Sequence, residues 1–308
     1  MTETVTEETA GGPSRAGFVA IIGPTNAGKS TLTNRLVGSK VSIVTQKVQT
    51  TRTRVTGIAV RGKSQFIFVD TPGVFAPKRR LDRAMVAAAW AGAADADLVV
   101  MVVDAERGID DAVEAVVEGL KGSERKCLLA LNKIDLVKRE TLLELAKAMN
   151  DRLDFDATFM ISASGGNGCK DLMDALEARL PEGPWLFPED QLSELPERML
   201  AAEITREKIY LRLHQELPYS IHVESESWKD QKDGSVRIEQ VIYVERDGQK
   251  AIVLGKGGQT MKIVGSMARE EMEQVFDRRV HLFLFVKVRP NWAEDRERYR
   301  AMGLDWQD

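Results

Sequence analysis

The stretch FVAIIGPTNAGKSTLTNRL, residues 18–36, decides the fold class of this chain. It begins with five apolar residues, a run typical of a strand that is buried on both faces, and Gly23 ends that run. Residues 23–30 then fit the pattern G-x-x-x-x-G-K-[ST], and apolar residues recur after it at helical spacing. A strand, a glycine-rich turn and a helix in this order predict a phosphate-binding loop.

The phosphate loop, residues 23–30, has a definite chemistry. Its glycines let successive backbone N–H groups face phosphate oxygens, and the start of the helix adds its positive dipole end. We expect Lys29 to reach the β- and γ-phosphates and Ser30 to offer its hydroxyl to Mg²⁺. The predicted nucleotide contacts in this region are Gly23, Pro24, Thr25, Asn26, Ala27, Gly28, Lys29, Ser30 and Thr31.

Composition bounds the class of protein. The 308 residues leave room for two ordinary domains, and 43% hydrophobic with 29% charged residues is a globular composition. No apolar run approaches the roughly eighteen residues of a membrane span. The net charge of −4 argues against a surface that binds nucleic acid everywhere, but it leaves room for a local basic patch. Cys127 and Cys169 fit no metal or redox spacing, so we expect packing residues in a reducing cytosol.

A threonine-rich loop, VTQKVQTTRTR, follows the predicted helix, and we call residues 44–54 the switch loop. In NTPases of this kind, the loop between the phosphate-loop helix and the next strand carries a switch that touches the γ-phosphate and Mg²⁺. Thr50 and Thr51 are the candidates for that contact. The alternative is an exposed polar loop with no role.

The next predicted buried strand, SQFIFV, ends in the sequence DTPG. Asp70, at the carboxyl end of a strand beside the phosphate loop, is placed to hold Mg²⁺ through water. We expect Gly73 to offer its N–H to the γ-phosphate. Val74 stands where switch GTPases often carry the Gln that orients the attacking water, a task that an apolar side chain cannot perform. The predicted nucleotide contacts here are Asp70, Thr71, Pro72 and Gly73.

Two later motifs indicate guanine. Guanine presents N1–H and its 2-amino group as adjacent donors, and the carboxylate of Asp135, in the motif NKID, can accept both. We expect Asn132 to brace the site and contact the base edge, and the stem of Lys133 to lie over the ring. In the later motif SAS, the backbone N–H of Ala163 would approach the guanine O6. The predicted contacts are Asn132, Lys133, Asp135, Ser162, Ala163 and Ser164.

These motifs each follow a predicted strand, which predicts an α/β domain with a doubly wound, mostly parallel sheet. A proline-rich stretch follows, and beyond it the pattern becomes α-β-β-α-α-β, as in an α+β type II KH domain. A helix, the loop GKGG and a second helix form the element with which KH domains clamp single-stranded RNA. The alternative is a plain helix-turn-helix corner. The predicted RNA contacts are Ile252, Val253, Gly255, Lys256, Gly257, Gly258 and Ile263.

The chain resembles the Era family of bacterial ribosome-assembly GTPases. The resemblance runs from about residue 17 to 291 and rests on GPTNAGKST, QTTR, DTPG, NKID, SAS, PERMLAAEITREK, ELPYS and GKGG. It implies binding to the 3′ end of 16S rRNA, GTP-dependent association with 30S precursors and peripheral contact with the inner membrane. It also implies that Val74 marks a GTPase with a hydrophobic residue in place of the Gln. In related enzymes an Asn at the position of Asn26 helps to hold K⁺ over the phosphates.

These observations predict a GTP hydrolase whose GTP form binds rRNA. Two alternatives stay open: an RNA-binding module in which the nucleotide is structural, and a membrane-linked signalling GTPase. We expect a cytoplasmic monomer that does not bind DNA. The predicted catalytic residues are Asn26, Lys29, Thr51 and Gly73, and the predicted Mg²⁺ site is Ser30, Thr51 and, through water, Asp70. The predicted segments are a disordered tail (1–16), a G domain (17–181), a linker (182–198), a KH domain (199–290) and a C-terminal tail (291–308).

Overall fold

The architecture was analysed in a computed structural model that describes residues 13–47, 50–121, 127–213 and 217–307. Of the predicted N-terminal tail, residues 1–12 lie outside the described residues. The first strand begins at Arg15, so residues 15 and 16 belong to the folded domain rather than to the tail.

The first domain is built on a six-stranded sheet. Its strand order is β2-β3-β1-β4-β5-β6, in which β2 is antiparallel to β3 and all other neighbours are parallel. This confirms the predicted mostly parallel sheet. The strands are β1 (Arg15–Ile22), β2 (Val55–Arg61), β3 (Ser64–Asp70), β4 (Leu98–Asp104), β5 (Cys127–Asn132) and β6 (Ala157–Ile161).

Helices cover both faces of this sheet, because its strands are apolar on both sides. On one face, Leu32 and Leu172 pack with the strand residues, and on the other face Ala89, Val113 and Leu142 do so. The carboxyl ends of β1, β3 and β5 therefore meet at one edge between the two helical layers. The helices are α1 (Lys29–Val37), α2 (Arg80–Asp95), α3 (Asp111–Leu120), α4 (Arg139–Asn150) and α5 (Cys169–Glu177).

The proline-rich linker lies on the sheet rather than between two free bodies. The buried side chain of Gln65 accepts the N–H groups of Leu186 and Phe187 and donates to the carbonyl of Phe187 at 2.8 Å. Ser193 Oγ donates to the carbonyl of Thr56 at 2.7 Å. The linker thus covers the β2–β3 side of the first domain and delivers the chain to the second domain in a fixed direction.

The second domain has the predicted order α-β-β-α-α-β. Strands β7 and β8 are antiparallel, with an irregularity between Ser225 and Ser227, and β9 lies parallel to β8. The first helix begins at Glu197, two residues before the expected domain boundary. The elements are α6 (Glu197–Arg212), β7 (His222–Asp230), β8 (Val236–Val244), α7 (Asp247–Leu254), α8 (Gln259–Phe276) and β9 (Val280–Val288).

The C-terminal segment, residues 291–307, differs from the tail that the sequence suggested. It contains a 3₁₀ turn (Trp292–Glu294) and a short helix, α9 (Arg296–Ala301). Trp292 and Tyr299 are each only 1% exposed. The segment is therefore part of the folded unit. Among the described residues, no helix has both the length and the apolar character that a membrane crossing requires.

Both cysteines and His222 are buried in the folded chain. Cys127 and Cys169 are buried free thiols, and burial raises the pKa of Cys127 to about 12, as suits a packing residue. His222, the first residue of β7, is buried: its Nε2 lies 3.0 Å from Glu224 Oε1, and burial lowers its pKa. His214 lies outside the described residues.

Candidate functional site

The phosphate loop occupies the turn between β1 and α1. Gly28 has φ +95°, and a Cβ there would lie 2.2 Å from Asn132 Nδ2, so no larger residue fits. Gly23 has φ +153°, and its Cβ would lie 2.3 Å from the carbonyl oxygen of Val102. The glycines of the pattern are therefore required by the local geometry as well as by the approach of a phosphate.

Lys29 lies buried inside this loop. Its Nζ donates to the carbonyls of Gly23 at 3.1 Å and Pro24 at 2.8 Å. Burial lowers the pKa of Lys29 to about 8, and the nearby Asp70 carboxylate opposes this shift. A bound phosphate would add negative charge beside the ammonium group and restore its high pKa. The ammonium group of Lys29 is thus held at the phosphate loop, where a bound phosphate could form an ion pair with it.

The Asp70 carboxylate is the centre of a hydroxyl cluster. Its Oδ2 accepts hydrogen bonds from Ser30 Oγ at 2.7 Å and from Ser42 Oγ at 2.7 Å, and Thr51 Oγ1 lies 3.4 Å away. The hydroxyls of Ser30 and Thr51 are 2.8 Å apart. The three predicted metal residues therefore come together. Ser42 was missed by sequence reasoning because it lies in no motif, and only its distance from Asp70 reveals it.

This cluster fits a hard divalent cation. Mg²⁺ prefers oxygen ligands, and hydroxyl and carboxylate oxygens are what the cluster offers. Burial raises the pKa of Asp70, while the hydroxyl donors and the charge of Lys29 act in the opposite direction. Its Oδ1 is also buried with no hydrogen-bond partner in the described part of the chain. A cation or its bound water would satisfy both.

Gly73 and Val74 form the next wall of the site. A Cβ on Gly73 would lie 2.8 Å from the Cα of Thr25, so only glycine lets the two loops approach. The N–H of Val74 donates to the carbonyl of Gly23 at 3.1 Å, and its side chain is buried in the core of the sheet. The side chain of residue 74 thus points away from the phosphates, in agreement with the expectation that it orients no water.

Asn132 connects the phosphate loop to the predicted base-binding turn. Its Nδ2 donates to the carbonyl of Ala27 at 2.8 Å, and its Oδ1 accepts the N–H of Ala163 at 2.9 Å. The ammonium group of Lys133 pairs with Asp104 at 2.6 Å, which fixes its stem along the site. Asp135 lies on the 3₁₀ turn after β5 with its side chain exposed. Asn132 thus joins the phosphate loop to the turn at Ala163, whereas Asp135 makes no described contact with either.

Arg35 is a second residue that sequence reasoning missed. It lies in the last turn of α1, and its guanidinium donates to the carbonyl of Ala163 at 3.1 Å and to that of Ser164. These bonds hold the backbone of the turn at Ala163, but the N–H of Ala163, which we expected to approach guanine O6, is here bonded to Asn132 Oδ1. A basic residue in the last turn of a helix is common, so the sequence offered no distinctive signal.

The switch loop contacts both the phosphate loop and the second domain. Asn26 Nδ2 donates to the carbonyl of Gln46 at 2.9 Å, and Arg206 of α6 donates to the carbonyl of Thr50 at 2.5 Å. Arg52 is buried and donates to the carbonyl of Ile221 at 2.8 Å. Residues 48 and 49 lie outside the described residues. The second domain is therefore hydrogen-bonded to the switch loop on both sides of Thr51, at Thr50 and at Arg52.

A cavity of about 930 Å³ lies between these elements, and it is large enough for a nucleotide. The first domain supplies most of its wall, and α6 of the second domain closes one side. Its lining includes Thr25, Asn26, Gly28, Lys29, Ser30, Thr31, Thr51, Gly73, Asp104, Lys133, Tyr210 and Leu211.

The predicted RNA contacts of the second domain are only partly at the surface. Ile252 and Ile263 are 59% and 41% exposed beside the GKGG loop, but Val253 is 0% exposed. Val253 faces the domain core because helical geometry turns adjacent side chains to different sides, so its predicted place in the groove was wrong. Gly255, Gly257 and Gly258 all have positive φ. Phe283 and Phe285 of β9, which the sequence reading did not single out, are also exposed.

Comparisons with known proteins agree with this division. Residues 18–133 match the family described as 50S ribosome-binding GTPase, and residues 216–293 match the KH domain family. GTPase Era of Rhizobium meliloti is 62% identical over 307 residues, covering 99% of this chain and 98% of that protein. GTPase Era of Dinoroseobacter shibae is 60% identical over 299 residues, covering 96% and 97%.

Two solved structures resemble both domains together. One is Aquifex aeolicus Era, as a point variant, bound to GDP and AlF4⁻, and the other is Era in complex with MgGDPNP and nucleotides 1506–1542 of 16S ribosomal RNA. Each has a TM-score of 0.89 and 37% identity, covering 94% of this chain and 99% of the other. The arrangement of the two domains is therefore similar in all three.

Replacing Asp135 by Asn is expected to weaken GTP binding about 100-fold and to improve binding of xanthosine triphosphate. The amide no longer accepts both guanine donors, and each charge-assisted bond is worth roughly 1.5–3 kcal/mol. Fluorescent-nucleotide titration measures both affinities. Asp151→Asn, at an exposed carboxylate after α4, is the control and should leave them unchanged. Unchanged GTP affinity in the Asp135 variant would remove this residue from the site.

GTP affinity is expected to fall as pH rises through about 8. The pKa of Lys29 is about 8 in the free site, and phosphate raises it, so above that pH binding must take up a proton. The affinity then declines by up to about tenfold per pH unit, and it is constant well below pH 8. Calorimetry in buffers of different ionisation enthalpy counts the protons. Binding at pH 8.5 without proton uptake would contradict the assignment.

Proposed function

The chain belongs to the Era family of GTPases and is a GTP hydrolase, and we propose that it couples GTP binding and hydrolysis to recognition of 16S rRNA. The RNA is the 3′ region, bound by the KH domain, and the setting is assembly of the 30S subunit in the cytoplasm. The observation that supports the proposal is that the KH domain is hydrogen-bonded to the switch loop. Arg206 of the KH domain donates to the carbonyl of Thr50, and Arg52 of the switch loop donates to the carbonyl of Ile221.

In this proposal the nucleotide is GTP or GDP with Mg²⁺. Lys29 and the backbone N–H groups of the phosphate loop bind the phosphates, and the N–H of Gly73 contacts the γ-phosphate. Ser30, Thr51 and Asp70 hold Mg²⁺, with Asp70 acting through water. The bound ion neutralises charge that develops on the transferring phosphate. Because the side chain of Val74 lies in the core, backbone and switch-loop groups hold the attacking water, and intrinsic turnover is slow.

Coupling follows from which groups the switch loop contacts. Thr51 would contact the nucleotide through Mg²⁺, while the carbonyl of Thr50 and the side chain of Arg52 are bonded to the KH domain. Loss of the γ-phosphate would loosen Thr51 and weaken these bonds. The solved relatives with GDP and AlF4⁻ or MgGDPNP have the same domain arrangement, which supports its assignment to the GTP-bound state.

The RNA surface combines charge and apolar contact. Gly255 has φ +72°, and a Cβ there would lie 2.2 Å from Thr260 Oγ1, so the GKGG loop keeps a bare backbone for phosphate approach. Lys256 adds a positive charge, and Ile252 and Ile263 offer apolar contacts to bases. A solved relative is in complex with 16S rRNA nucleotides, which supports this choice of partner. Peripheral contact with the inner membrane stays a prediction from the family resemblance, as do the monomeric state and the lack of DNA binding.

Ile252→Glu is expected to weaken RNA binding in the GTP state by about tenfold or more. The substitution removes an apolar contact and adds a charge that phosphates repel. Fluorescence anisotropy with a labelled oligonucleotide of the 16S rRNA 3′ end measures this in the presence of a GTP analogue and then of GDP. Leu143→Glu in α4 is the matched control, since Leu143 is equally exposed at 59%. Equal affinities in both nucleotide states would contradict the proposed coupling.

K⁺ is the proposed additional ion, and replacing Na⁺ by K⁺ is expected to accelerate hydrolysis. Asn26, whose Nδ2 donates to the carbonyl of Gln46 of the switch loop, would help to hold the ion, and the positive charge of the ion would offset the charge of the phosphates. Asn26→Ala should abolish the K⁺ effect and lower kcat by about tenfold or more. Turnover assays at constant ionic strength test this. Fast hydrolysis that does not depend on K⁺ would exclude a role for the ion.

A further inference from the structure

The C-terminal segment follows the last strand of the KH domain, and neither the nucleotide contacts nor the RNA surface assigns it a role. Four of its apolar side chains are nonetheless almost fully buried, namely Trp292, Tyr299, Met302 and Leu304. The apolar side chains of such a charged segment hold it in place only by being buried against a specific surface. That surface is formed mainly by the G domain and the start of the KH sheet.

The segment is anchored on α2. Tyr299, Met302 and Leu304 share a hydrophobic cluster with α2 residues that include Leu81 and Met85. At the first residue of α2, Arg80 pairs with Glu294 and lies 4.4 Å from the centre of the Trp306 ring. Since α2 begins shortly after Gly73, the segment is attached to the helix that follows the γ-phosphate contact.

At its other end, Trp292 closes the site that holds Arg52. The indole stacks on His222 with ring centres 5.2 Å apart, and Nε1 donates to the carbonyl of Ser220 at 3.0 Å. The Arg52 guanidinium lies 5.7 Å from the centre of the same indole and donates to the carbonyl of Ile221. The ring thus forms one wall of a buried arginine site, where a cation over an aromatic face is favourable.

Arg52 directly follows Thr51 in the chain. Neighbouring Cα atoms are about 3.8 Å apart, so a side chain that is fixed at one position restricts the backbone at the other. The Thr51 hydroxyl is 2.8 Å from Ser30 Oγ, where the cation site is proposed. A displacement of the threonine by about 1 Å is enough to cost a large part of the rate in a site of this kind.

We propose that Trp292 is a positioning residue for GTP hydrolysis. Together with Tyr210, Tyr219 and Ile221, which accept hydrogen bonds from Arg52, it holds this side chain in place and thereby holds the Thr51 hydroxyl at the cation site. The rest of the C-terminal segment anchors the tryptophan on α2. The same segment therefore links the switch loop to the helix after Gly73. This role concerns hydrolysis itself and does not depend on the proposed RNA partner.

The test uses the full-length chain with Trp292→Ala. We expect kcat for GTP to fall about tenfold, with KM for GTP within about twofold, and the Mg²⁺ concentration needed for half-maximal binding of a fluorescent, non-hydrolysable GTP analogue to rise. Trp292→Phe keeps a ring over Arg52 and should retain most of the activity. Trp185→Ala is the matched control, because its Nε1 also donates to a backbone carbonyl, that of Lys63 at 2.9 Å. A merely structural role would not raise the Mg²⁺ requirement.

A double-variant cycle tests the route through Arg52. Arg52→Lys alone should lower kcat, and adding Trp292→Ala should then lower it no further, since both changes release the same threonine. Met302→Asp disrupts the packing of the segment on α2 without changing a contact of Arg52, and it should reproduce the effect of Trp292→Ala. If the Trp292→Ala protein does not fold, the Met302→Asp protein provides the test. Unchanged kcat and Mg²⁺ dependence in a folded Trp292→Ala or Met302→Asp protein, or independent losses in the double variant, would overturn the proposal.

Discussion

The buried carboxylate of Asp70 is the interaction on which the nucleotide site depends. A carboxylate without solvent is costly unless donors and cations surround it, and here Ser30, Ser42 and Thr51 direct their hydroxyls to one of its oxygens. These three residues come from α1, the stretch after it and the switch loop. Because one buried charge needs several hydrogen-bond donors, it brings these separate parts of the chain together. The second oxygen of Asp70 has no hydrogen-bond partner among the described residues, which leaves it available to a cation.

A second buried charge cluster fixes the two domains. Glu207 of α6 pairs with Lys40 at 2.8 Å and with Lys208 at 2.7 Å, and it accepts the N–H of Val44 at 2.7 Å. Burial acts to raise the pKa of Glu207, but Lys40 and the hydrogen bonds outweigh it and hold that pKa below its usual range. Buried ion pairs add little net stability, yet they tolerate only one geometry. The cluster therefore specifies where the KH domain sits against the switch loop.

Both clusters serve a GTPase whose residue 74 takes no part in positioning water. Val74 is packed in the core, so its side chain is not directed toward the phosphate loop or the switch loop. The switch loop in turn depends on contacts from Arg206 and from the buried surroundings of Arg52. In this protein the second domain thus helps to hold the switch loop beside the nucleotide site and is not a separate unit.

The sequence alone determined the order of elements and predicted the residues of the nucleotide site, because both depend on local patterns. Apolar runs predict strands, and a phosphate loop needs its glycines and lysine at fixed spacing. Ser42 and Arg35 could not be found in this way, because each acts through a partner that is distant in the chain, Asp70 or the turn at Ala163. The prediction that Val253 lines the RNA groove was wrong because the exposure of a helical residue depends on how the helix is rotated against the domain core.

Only the tertiary structure decided where the C-terminal segment lies. Its sequence has the charged composition of a solvated tail, and nothing local indicates that Trp292 lies against Arg52 or that Tyr299 packs on α2. Such contacts join residues more than two hundred positions apart, and they form because apolar side chains must be buried wherever folding brings a matching surface. The chemistry of a motif can be predicted from neighbouring residues in the sequence, whereas the contacts that hold the motif in place depend on the packing of distant residues.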